Sequence, residues 1–114
     1  MSFFYIKSPT IRHTGDAVTN QIVIENIDSG AASAPDLVLW RNSGSPADND
    51  LLGHVHFRGE NDASDIFNYA SVVAKAIDVS DGSEDGQLKF YTYKAGSETE
   101  TLTLESGDVT TGGA

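Results

Sequence analysis

Apolar and polar residues alternate along this chain in short runs, each bounded by turn-forming residues. The first is Gln21-Ile22-Val23-Ile24-Glu25, followed by a loop over residues 26–35 that contains Ser29-Gly30. Leu37-Val38-Leu39-Trp40-Arg41 comes next, and then a long polar turn over residues 42–50 whose Pro46 has no place in a central strand. Residues 51–58 form a third run closed by Gly59-Glu60-Asn61-Asp62, and residues 87–94 and 99–105 form two more, joined through Ala95-Gly96-Ser97. Side chains two apart in a strand share a face, so each run predicts a β-strand with one apolar face.

Residues 67–79 fit two periods. A helix would gather Phe67, Ala70, Val73 or Ala74, and Ile77 on one stripe, with Asp62 or Ser64 as a cap. A strand would place Ala70, Val72, Ala74 and Ala76 on one face and Tyr69, Val73 and Ile77 on the other. The strand is the preferred reading, because its neighbours are strands and Asp78-Val79-Ser80-Asp81-Gly82 supplies turn chemistry. A short repeat points the same way. Gly53-His54-Val55-His56-Phe57 and Gly86-Gln87-Leu88-Lys89-Phe90 share Gly-x-aliphatic-x-Phe, and Leu37-Val38-Leu39 is echoed by Leu102-Thr103-Leu104. Repeats at such spacing predict a structure that grows along one direction, each unit burying its face on its neighbours.

Composition sharpens the class. Twelve Ser, nine Thr and eleven Asp against six Glu favour turns and strands over helix, so the predicted fold is all-β with short antiparallel strands. Leu, Ile, Val and Phe supply 27 of 114 residues, enough to fold but only as a thin core. The length fits one domain. A net charge of −10 opposes docking on phosphate backbones or anionic membranes, which argues against nucleic-acid binding. Without cysteine there is no disulfide, thiolate nucleophile or cysteine-ligated metal. The longest apolar run, Phe3-Phe4-Tyr5-Ile6, is far below the ~20 residues of a membrane-spanning helix, so the sequence predicts a soluble chain with no targeting segment and no membrane insertion.

Leu52-Gly53-x-Val55-x-Phe57-x-Gly59-x-Asn61-Asp62, then Tyr69-Ala70-x-Val72-x-Ala74, then Asp81-Gly82-Ser83-Glu84-Asp85-Gly86-x-Leu88-x-Phe90 form an ordered series. With the lead-in Pro35-x-Leu37-x-Leu39-x-Arg41 and the exit Leu102-x-Leu104, it resembles a pattern of bacteriophage tail fibres and tailspikes over about residues 35–107. The resemblance implies an intertwined homotrimer, β-helix-like, β-prism-like or β-sandwich-like, forming part of the appendage by which a phage reaches its host. It implies a virion location and contacts with other virion proteins, and it admits a host surface glycan as partner. Two features depart from the pattern: the two histidines at 54 and 56, and residues 1–19, which match nothing in it. The physical reading converges on assembly, since a thin core and a small-residue face at Ala70, Val72, Ala74 and Ala76 leave a lone monomer marginal. Exposed strand edges in such a chain also need protection. The expected organisation is an N-terminal arm or cap over residues 1–20, a β-structural domain over 21–107, and a flexible tail over 108–114.

Candidate chemistry is sparse. His54 and His56 share one face of a strand. Turned toward a threefold axis, three such pairs would supply six imidazoles for a transition metal. Val55 and Phe57 compete for the buried side, however, and the preferred reading sends both histidines to solvent with no metal bound. Asp81-x-Ser83-x-Asp85-Gly86 opens like a calcium loop, but Thr92 stands where the loop needs a bidentate Glu, so a surface turn is expected. Glu60, Asp62 and Asp65 are the carboxylates that a glycan-cleaving spike would use in pairs, and they are equally ordinary turn formers. Trp40, Tyr91 and Tyr93 could stack on a sugar, though aromatics on strands more often pair across the sheet. There is no Gly-x-Ser-x-Gly elbow and no Gly-rich phosphate loop. The expectation is a non-enzymatic virion structural protein with no catalytic residues, cofactor or metal. Its rivals are a glycan-binding or glycan-cleaving spike domain and a trimeric capsid decoration protein.

Overall fold

The computed structural model describes residues 9–15 and 21–112. The chain divides into two units, Met1–Leu37 and Val38–Ala114. In the first, residues 22–25 form neither helix nor strand. An Asx turn follows: the Asn26 Oδ1 accepts from the Asp28 N–H at 2.8 Å, and the Asp28 Oδ1 from the Gly30 N–H at 2.7 Å. The bond from the Gly30 N–H, with one from the Ser33 side chain, holds the Asp28 carboxyl below the usual carboxylate range.

The second unit carries one open antiparallel sheet in the order of the sequence, β1 (Asp50–Glu60), β2 (Ile66–Asp78), β3 (Asp85–Lys94), β4 (Ser97–Glu105) and β5 (Asp108–Thr111). The fold is all-β, with no helix among the described residues and hence none long and apolar enough to cross a membrane. The ambiguous segment is a strand, as expected: β2 is flanked by β1 and β3, so both edges of its backbone are paired. Two hairpins close through two-residue turns with positive φ at both central positions, Ala95-Gly96 (48° and 83°) and Ser106-Gly107 (50° and 90°). This is the turn whose twist matches that of the flanking strands, and glycine takes the left-handed backbone without strain.

Three expectations are corrected. Residues 21–25 and 37–41 do not form strands of the sheet, because alternation fixes only which side chains share a face and not which backbone lies alongside. Asp108–Thr111, expected as the start of a flexible tail, is β5, since the Ser106-Gly107 turn folds it back onto β4. The Gly-x-aliphatic-x-Phe repeat does not stack along an axis. Its copies lie in β1 and β3, on the two sides of β2, where Val55 and Phe90 both pair with Val72. The expected N-terminal arm falls largely outside the described residues.

Register gives the sheet two different faces. Across one run three rows: Phe57, Ala70, Thr92 and Thr99; Val55, Val72, Phe90 and Leu102; and Gly53, Ala74, Leu88, Leu104 and Val109. Across the other run His56, Ser71, Tyr91 and Glu100; His54, Val73, Lys89, Thr103 and Thr110; and Leu51, Lys75, Gln87, Glu105 and Asp108. No hydrophobic residue among those described is buried, while Ser71 (4% exposed) and Thr103 (8%) are.

Candidate functional surfaces

The polar face satisfies itself. Ser71 and Thr103 are short side chains in β2 and β4, flanked by longer neighbours that cover them. The Ser71 hydroxyl bonds His56 Nδ1 at 2.9 Å. Thr103 donates to Glu100, which also accepts from Lys89 Nζ at 2.8 Å, and the Gln87 amide donates to Glu105. The Lys89 ammonium and the Thr103 hydroxyl hold the Glu100 carboxyl below its ordinary range, and hydrogen bonding to Glu100 raises Lys89. No buried side-chain nitrogen or oxygen among the described residues lacks a partner.

Within the second unit, no second layer of described residues covers the apolar face. Val55 is 40% exposed and Phe57 58%, so they do not fill a core in the single chain, although they occupy the apolar face as the alternation requires. At one end of this face a segment upstream in the same unit touches it. Leu39 lies over Gly53 so closely that a Cβ there would come within 3.2 Å of it. Arg41 anchors that segment, donating from Nη1 to the Leu51 carbonyl at 3.2 Å and pairing with Asp50 at 3.3 Å. The hollow between Leu39, Leu52, Val55, Val72 and Leu88 has a volume of about 230 Å³.

His54 and His56 sit on the polar face with their rings stacked, 5.1 Å between centroids, and both are exposed. Among the described residues no three or more His, Asp or Glu side chains come together to hold a metal. Asp81 and Ser83 lie in the turn between β2 and β3, where the Ser83 N–H bonds the Ser80 carbonyl and the Gly82 N–H bonds Glu84. Thr92 is out in β3, bonded to Thr101 across the strands, so the residues of the supposed calcium loop do not converge. Of the loop carboxylates, Asp65 is tied to Asn61, whose Oδ1 also accepts from the Ala63 and Asp65 N–H groups. These bonds are those of a turn.

The three aromatics flagged in the sequence are not brought together. Trp40 is 77% exposed, and Tyr91 stands on the polar face between Ser71 and Glu100. Tyr93 instead joins Phe67 (5.4 Å between centroids) and Tyr69 (6.4 Å), where the β1–β2 loop and the β3–β4 turn meet. The Tyr69 hydroxyl donates to the Glu60 carbonyl at 3.2 Å, and the rings line a cleft of about 340 Å³ with Asn61, Ala95 and Gly96. Sequence reasoning missed Phe67 and Tyr69 as partners of Tyr93. Their spacing of two was the available signal, but only the β2–β3 pairing carries Tyr93 to them. No family model, curated relative or solved structure matches the chain.

Proposed function

We propose that this chain is a structural protein of a virion, a segment of a phage tail fibre, spike or appendage used in host attachment, and that it works as a homotrimer. The observation that carries the reading is the uncovered apolar face. A sheet with one apolar side must lay it against another layer, and the described residues of the second unit provide none beyond the contact at Leu39. The resemblance to tail fibre sequences supplies the biological setting. Copies of the chain suit the covering role because the three apolar rows carry no charged side chain. They are therefore where molecules of net charge −10 can approach with least repulsion. In this reading the protein catalyses no reaction, and residues 108–111 belong to the β-structural domain.

The Phe67, Tyr69 and Tyr93 cleft favours a second reading, a glycan-contacting spike domain, since ring faces stack on sugars and the neighbouring loop offers carboxylates as acceptors. Light scattering on the purified chain tests the main reading. A mass near three times 12.1 kDa is expected, and a stable 12.1 kDa species at micromolar concentration overturns it.

A further inference from the structure

Among the described residues two features stand outside the strand pairing, and each has the form of what the other lacks. Residues 22–25 have the β-branched, apolar sequence of a strand yet belong to no strand of the sheet, and Ile22, Val23 and Ile24 are 64%, 67% and 50% exposed. At the same time β1 stands at the border of the sheet. It is 11 residues long and among the described residues pairs only with β2, so that apart from the Leu51 carbonyl, which Arg41 caps, its outer side has the form of a strand edge that can take another strand.

We propose that in the assembled protein residues 22–25 of one copy add to the outer edge of β1 of another copy, so that the chains interlock by strand donation. The inference rests on the assembly reading above and states how copies hold one another. Backbone pairing supplies attraction at an edge, and alternate side chains set the register. Of the two sheet borders, β1 is the one that fits. β5 is four residues long and, with β4 beside it, carries Asp108, Glu105, Glu100 and Glu98. By contrast, residues 51–59 of β1 hold no carboxylate and include His54, His56 and Arg58, so a segment ending in Glu25 meets less repulsion there.

Amide hydrogen exchange on the full chain, followed across a dilution series together with the mass, tests this. The expected result is slowing on the order of 100-fold at residues 22–25 and at the β1 amides that face away from β2, present in the oligomer and lost on dilution to monomer. Val23→Pro, which removes a donor and cannot sit in a paired strand, should shift dissociation to higher protein concentration while β1–β4 protection persists. An oligomer whose residues 22–25 exchange at open-chain rates overturns strand donation and leaves assembly standing. Protection that is equal in the monomer overturns it as well, because the segment then pairs within its own chain. A chain that is monomeric at every concentration removes the assembly reading itself.

Discussion

On the polar face of the sheet the short side chains Ser71 and Thr103 lie among His56, Tyr91, Lys89 and Glu100 and are buried by them, each with a hydrogen-bond partner. On the opposite face the same strands present Val55, Val72, Phe90 and Leu102 in a row of which Val55 is exposed and the other three are only half-buried. Long polar side chains bend over their neighbours and still keep their heads in water, so a polar face can complete itself within one layer. Aliphatic side chains have no polar head to return to solvent, and they leave water only when a second layer arrives. The face that is finished in one chain is thus the one with least need of a partner.

The comparison breaks most visibly at Ala74, between Gly53 and Leu88 in an apolar row. Ala74→Arg should abolish assembly, because an unpaired charge held inside an interface costs about 3–5 kcal/mol, and a persisting trimer by light scattering would mean that this face is not the interior one. Gly107→Ala, which forces a side chain onto a backbone at φ 90°, should cost roughly 1 kcal/mol or more and release β5, read as faster exchange at residues 108–111. Ser71→Ala removes the bond to His56 and should lower stability by about 1 kcal/mol in denaturant unfolding without changing the oligomeric state. Replacing His54 and His56 together by Gln should change stability by no more than ~0.5 kcal/mol, the range of surface substitutions. Elemental analysis of chelator-washed protein is expected to show no stoichiometric metal.

The smallest expected effect is on pH dependence, and it belongs to the polar face. Glu100 and Asp78 have carboxyls held below their ordinary values, Asp78 by its bonds with Ser80. The stability they contribute is complete above the ordinary carboxyl range of about 4 and is lost as pH falls through and below it. Lys89 is raised, so its contribution is present below its ordinary value of 10.5 and declines as pH rises past it. Glu100→Gln should flatten the acid limb of an unfolding profile and leave the assembly mass unchanged.

What the residues determined directly was local. Alternation in Val55 to Phe57, in Ala70 to Ala74 and in Leu88 to Phe90 specified strands and their apolar sides, because side-chain direction in a strand repeats every two residues wherever the strand is placed. The exit of β3 through Ala95-Gly96 was legible for a similar reason, since that turn's backbone demands particular residues. Partner choice was not legible. Nothing in Gln21 to Glu25 distinguishes it from Leu88 to Thr92 by pattern, yet it is the latter that became a strand, between two backbones that take its hydrogen bonds. Asp108 to Thr111, with one aliphatic residue, became a strand because a two-residue turn delivered it to β4. Likewise the meeting of Phe67, Tyr69 and Tyr93 required the β2–β3 register, and the burial of Ser71 required long neighbours on both adjoining strands. Pairing is a relation between segments far apart in sequence, and only the tertiary structure, which brings those segments side by side, decides it.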